Sequence, residues 1–244
     1  FFGTDDNFFN NRPAAEQMFA EMSKTKINGR PFADEVFWGT EATEFDTWKN
    51  RDLLPAGRKS GLRAIWFGIE DLTATLIRKG QSAGKTAELF DLLDGCGITP
   101  RPMLMHHDGQ PLFSRDGMYG LLNQVRYLRK IGAASMKVTV LTPAVGTRGY
   151  EPAFEKELVF SKVGGRSVDE WQYDGNHVVA SESSKPWRMQ ANVLLAYLAF
   201  YNPWNFLRSL LRGRVHFLEG AYYQLTGMYG LAWTITRSGM WVYR

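Results

Sequence analysis

The feature that most constrains this chain is a unit that recurs through its first 150 residues. A short apolar or β-branched run leads into a polar cluster, and a capped amphipathic stretch follows that stops near glycine. The runs fall at 1–4, 36–43, 64–69, 102–105 and 136–141. Asn11 and Pro13 open the first helix, which runs toward Ser23, and residues 50–59 form a second that Gly61 closes. A third helix opens near Ser82 and ends at Gly95 or Gly97. A fourth, 118–130, is capped by Ser114, puts Leu121, Leu122, Val125 and Leu128 on one face, and stops at Gly132. Alternation of this kind predicts a parallel sheet with right-handed crossovers, either doubly wound or closed as a barrel.

The polar residues decide for the barrel. Each run delivers them at its C-terminal end: Asp5-Asp6-Asn7, Glu41 and Glu44, Glu70-Asp71, His106-His107-Asp108, and Thr142 with Gly146 and Thr147. Barrel enzymes build their sites from the C-terminal ends of several strands. The expected fold is therefore α/β, a partial TIM-like (β/α) barrel over residues 1–150 that lacks its N-terminal strand. Residues 151–244 form an α-helical, aromatic and basic C-terminal extension, in which Pro203 divides two helices.

Composition narrows the function classes. The single cysteine, Cys96, can form neither an intrachain disulfide nor, alone, a metal or iron–sulfur site, which points to a cytoplasmic setting. From Lys185 onward seven basic residues face one acid, Glu219. No apolar stretch reaches the roughly 18 to 20 residues that a spanning helix needs. The tail's aromatics, among them Trp187, Tyr197, Phe200, Trp204, Tyr222, Tyr229, Trp233 and Trp241, either pack helices over the open side of the barrel or form an interfacial surface. No Walker loop, G-x-S-x-G elbow or metalloprotease helix occurs, and no nucleic-acid partner is expected.

Taken singly, the candidate residues have plain readings. Asp5-Asp6 suits a helix cap or a site for an ammonium, ribose or metal. Glu70, after Gly68-Ile69, is a loop acid or a carboxylate at the mouth of a buried strand. His106 and His107 point to opposite sides if both are in a strand, which favours substrate contact over a two-histidine metal site. Pro143 and Gly146 set an irregular turn whose free backbone groups suit a flat ring.

In order and spacing these stretches resemble the radical S-adenosylmethionine (SAM) enzymes, and among them the cobalamin-dependent branch. The matching elements are Gly3-Thr4-Asp5-Asp6-Asn7-Phe8, Phe67-Gly68-Ile69-Glu70-Asp71, Lys79-Gly80 and Leu141-Thr142-Pro143-Ala144-Val145-Gly146-Thr147. The resemblance implies that Asp5, Asp6 and Asn7 lie near the methionine end of SAM, Glu70 on its ribose side, and Thr142, Pro143, Gly146 and Thr147 beside adenine. Glu41, Glu44, His106 and His107 are then the substrate-side candidates. It also implies a 4Fe-4S cluster on a C-x3-C-x2-C motif, which this sequence does not contain. The expectation is a C-terminal piece whose cluster cysteines lie upstream and which is inactive alone. The implied partner is a reductase or other electron donor; the basic, aromatic tail adds the expectation of a small-molecule or lipid-like substrate and of peripheral contact with the inner face of a membrane. The implied reaction is cobalamin-dependent methyl transfer to an unactivated carbon. Two other classes compete: a metal-dependent barrel hydrolase or lyase using His106, His107 and Glu70, and a non-catalytic membrane-associated barrel protein.

Overall fold

The computed structural model describes residues 1–75, 82–163, 165–211 and 217–238. Its elements run α1 (Arg12–Lys24), the hairpin β1 (Lys26–Ile27) and β2 (Arg30–Pro31), α2 (Phe32–Glu35), β3 (Trp38–Glu41), α3 (Glu44–Lys49), α4 (Leu54–Lys59), β4 (Leu62–Glu70), α5 (Ala83–Cys96), β5 (Thr99–His106), α6 (Leu121–Lys130) and β6 (Lys137–Val140). Then come α7 (Tyr150–Glu155), the hairpin β7 (Lys162–Val163) and β8 (Arg166–Ser167), α8 (Trp187–Phe200), α9 (Pro203–Leu211) and α10 (Phe217–Ser238). Strands β3-β4-β5-β6 pair in that order as a curled parallel sheet, half of a TIM-like barrel, and the C-terminal part is helical. The fold class read from the sequence is the one observed.

Local chemistry explains most of the boundaries. Asn11 caps α1 by accepting from the Ala14 N–H, Ser82 caps α5 by accepting from the Lys85 N–H, and Gly97 ends α5 in the left-handed conformation. Three expectations need correction. The run 1–4 makes only a parallel bridge, Phe2 to Gly39, because Asp5 Oδ1 takes the Asn7 N–H and turns the chain away from extension. The helix read at 50–59 is a 3-10 turn, Arg51–Leu53, followed by α4. Ser114 does not cap α6, which begins at Leu121: the Ser114 hydroxyl bonds Asp116 O, and Asn123 holds the Ser114 backbone from both sides.

The chain divides into two compact units. One holds Phe1–Met103 and Tyr127–Lys137; the other holds Leu104–Arg126 and residues 138–211 and 218–238. The core of the first joins Phe8, Phe9, Phe19 and Trp38 in ring contact, with Gly57 of α4 admitting Phe19 and Leu62 where a Cβ would crowd them. Phe67 of β4 meets Phe90 of α5 at 6.1 Å. Gly39 lets Trp66 lie over β3, and Trp66 is covered in turn by Phe2 and by the Arg101 guanidinium at 4.3 Å.

In the second unit, α8 carries the outer edge of β6. The buried Tyr197 hydroxyl accepts from the Val138 N–H and donates to the Val138 C=O, both at 2.9 Å, while Val140 N–H reaches Gly175 O. Burial pushes the Tyr197 hydroxyl up to about 12, so it keeps the proton that it donates. Gln190, fully buried, ties Asn176 O and Val178 N–H to the same helix. Gly227 of α10 sits directly on the Tyr201 ring, where any side chain would collide. Of the aromatics read in the tail, Phe200 and Tyr201 are core, whereas Trp204, Tyr222, Tyr229 and Trp233 are exposed; Trp241 lies outside the described residues.

Candidate functional site

In the first unit, the polar stretch after Phe1-Phe2-Gly3-Thr4 is partly structural. Asn7 stitches it to the loop after β3: its side-chain N–H donates to Asp46 Oδ2 at 2.7 Å and its oxygen accepts the Thr43 N–H. Asp5 is committed to the Asn7 N–H. Asp6 is exposed, with no hydrogen bond among the described residues, and is the carboxylate of the three left for a ligand. Glu41 ends β3 half-buried, and Glu44 is buried in the first turn of α3, whose cap is Thr43 accepting from Asp46.

Glu70 ends β4 with φ +60°, a left-handed backbone that a β-carbon disfavours. Strain of this kind persists where the surroundings over-determine it, and it clusters at functional sites. The surroundings here are supplied by Asp71. Its buried carboxylate takes the Thr73 N–H, the Thr73 hydroxyl and the Thr75 N–H, fixing the turn that follows the strand. Asp71 was legible only as Glu70's neighbour; a buried acid followed at two and four residues by Thr73 and Thr75 was the available signal. Lys79-Gly80 lies outside the described residues.

In the second unit, Thr142 donates to Val140 O as the chain leaves β6, and Ala144 to Thr147 form a type II turn with Gly146 at φ +82°. Thr147 closes it with both its N–H and its hydroxyl on Ala144 O. Residues 144–149 are exposed.

β5 ends at His106, so His107 lies beyond the strand, the alternation argument does not reach it, and both histidines line one cleft. His106 is buried and His107 half-buried. His106 Nδ1 lies 2.7 Å from Gln110 Oε1, and its Nε2 lies 3.1 Å from Asn192 Nδ2 of α8. As oriented, Nδ1–H donates to Gln110 and Nε2 accepts from Asn192; reversing both amides gives the other tautomer, and the ring is neutral in either. Burial pushes the His106 pKa down, which agrees with a neutral ring. His106, His107, Asp108 and Gln110 form one wall of an open cleft of about 520 Å3, and Lys185, Trp187, Arg188, Asn192 and Leu195 line the other. The second wall was not readable locally: Asn192 lies 86 residues from His106. Among the described residues no group of three or more His, Cys, Asp or Glu side chains is placed to hold a metal ion, and the hydrolase or lyase reading is not favoured.

No protein-family model matches the sequence, and no curated protein matches it. Solved structures do match in fold. The radical S-adenosylmethionine methyltransferase TsrM from Kitasatospora setae, with cobalamin and a [4Fe-4S] cluster bound, aligns over 94% of this chain and 52% of that one, at 14% identity and TM-score 0.52. A second TsrM structure, with tryptophan substrate and the SAM analogue aza-SAM, covers 67% of this chain and 31% of that one at 17% identity and TM-score 0.45. The chain thus spans about half the length of the first of these, and what the likeness establishes is the fold alone.

Proposed function

We propose that the chain is the barrel portion of a radical SAM enzyme and that it holds SAM with groups at its strand ends. The observation that carries this reading is Glu70, a carboxylate fixed in left-handed backbone at the mouth of β4, within a fold shared over 94% of the chain with a radical SAM methyltransferase. In this reading Glu70 accepts from the ribose hydroxyls and Asp6 holds the methionine ammonium. Cobalamin-dependent methyl transfer to an unactivated carbon is the finer form of the proposal.

A 4Fe-4S cluster would supply the electron that cleaves SAM, but the residues here do not fit it. Three thiolates are needed, and the sequence holds only Cys96, in the last turn of α5, its thiol pushed up by burial. No step through the cluster is derived, and this chain by itself should bind SAM without cleaving it. Calorimetry tests the binding. Glu70→Gln and Asp6→Asn should each weaken SAM by about tenfold, the scale of one charge-assisted hydrogen bond; unchanged affinity in both variants refutes the assignment.

Peripheral contact with an anionic lipid surface belongs to the same reading. Leu218, Tyr222, Leu225, Tyr229 and Trp233 form an exposed stripe at helical spacing along α10, and Arg237 lies 5.6 Å from the Trp233 ring. No helix among the described residues is long and apolar enough to cross a membrane. Co-sedimentation with phosphatidylserine-containing vesicles, lost in Leu225→Glu/Tyr229→Glu, is the expected result. Equal recovery of the two proteins rejects it.

A further inference from the structure

We propose that the cleft at the end of β5 takes an organic carboxylate with a flat or hydrocarbon body, which deepens the reading above by naming the class of substrate. The cleft's electrostatics carry the inference. Lys185 and Arg188 stand on its α8 wall, and neither is paired with a carboxylate among the described residues. Arg188 is held over the Trp187 ring at 5.6 Å, which leaves its N–H fork for a ligand. The first turn of α8 contains no acid, so the positive end of the helix dipole adds to the same field.

The lining holds these two cations against a single acid, so its net charge is positive. The one acid in the lining, Asp108, is turned onto the Ser181 hydroxyl at 2.6 Å and the Glu182 N–H at 2.8 Å. The innermost polar group, His106, is neutral and spends both ring nitrogens on Gln110 and Asn192. The deep end thus neither attracts a cation nor repels an anion. Pro111, Leu112, Trp187, Met189 and Leu195 supply the apolar remainder. A volume of about 520 Å3 lies in the range of small-molecule sites. A charged end held by Lys185 and Arg188 directs an apolar body along these side chains toward His106.

The test uses 2-naphthoate and its neutral isostere 2-naphthamide, titrated into the chain by fluorescence or calorimetry. Naphthoate should bind at least tenfold tighter than the amide. Lys185→Gln/Arg188→Gln should abolish that preference, whereas Lys130→Gln, an exposed charge on α6 outside the cleft, should preserve it. Equal binding of the two probes, failure of naphthoate to bind at millimolar concentration, or an undiminished preference in the double variant each overturns the proposal. SAM affinity, measured on the same proteins, should be unaffected by Lys185→Gln/Arg188→Gln. Loss of the naphthoate preference with SAM binding intact separates this inference from the SAM reading, and absence of SAM binding in the parent chain refutes that reading alone.

Discussion

Glu70 and His106 show how single residues carry opposite burdens in this protein. Glu70 carries a conformational cost: left-handed backbone costs a residue with a β-carbon roughly 1–2 kcal/mol, which glycine does not incur. Glu70→Gly should therefore hold or raise the urea midpoint while it weakens SAM binding, so that stability and function move apart. A fall in stability together with binding would show that the side chain serves the fold. His106 carries a titration cost. Its pKa is depressed in the folded state by burial, so the folded protein keeps it neutral while the unfolded chain takes up a proton near the ordinary value of 6.5. Stability from this group is complete above about pH 6.5 and declines as pH falls, by at most about 1.4 kcal/mol per pH unit, until the folded-state pKa is passed. The imidazole resonances of His106 followed by NMR should titrate with a midpoint below 6.5; a midpoint at or above 6.5 contradicts the argument. Glu70 could be singled out from sequence because it follows an apolar run. The neutrality of His106 could not, since it comes from burial that only the folded chain supplies.

At the scale of elements, periodicity served best where caps and apolar faces agreed. The spans of α1, α5 and β4 follow closely from Asn11, Ser82, Gly97 and the apolar runs, whereas β5 begins three residues ahead of its run. It served worst where one side chain redirected the backbone, as Asp5 does after Phe2 and as Asn123 does ahead of α6. The two short hairpins, β1-β2 and β7-β8, were not anticipated because strands of two residues have no period to detect. The edge of β6 was equally hidden. An open sheet edge invites pairing with another chain, and here Tyr197 answers both polar groups of Val138 with one hydroxyl. Tyr197→Phe keeps the ring and strands a buried N–H and C=O, so it should cost about 1–3 kcal/mol by urea denaturation. A change below about 0.5 kcal/mol would mean that water replaces the hydroxyl and that the edge is not sealed by it.

At the scale of the whole molecule, the repeat of strand, polar cluster and helix was enough to read a partial barrel with a parallel sheet, four of whose five expected strands form, because each unit announces its own sheet strand and crossover. The candidate site was legible only in outline. Asp6 and Glu70 can be pointed to from the sequence, but Asn7's service to Asp46 and Thr43, and the contribution of Lys185 and Arg188 to a cleft, arise from tertiary neighbours. The type II turn after β6 has a use of its own at this scale. With residues 144–149 exposed, Arg148 presents an accessible peptide bond to trypsin, on a segment whose sequence resembles the family's adenine-side turn. A timed digest should then cut after Arg148 in the free protein and do so more slowly under saturating SAM. The turn thereby becomes a built-in reporter of occupancy, read on a gel without label or turnover.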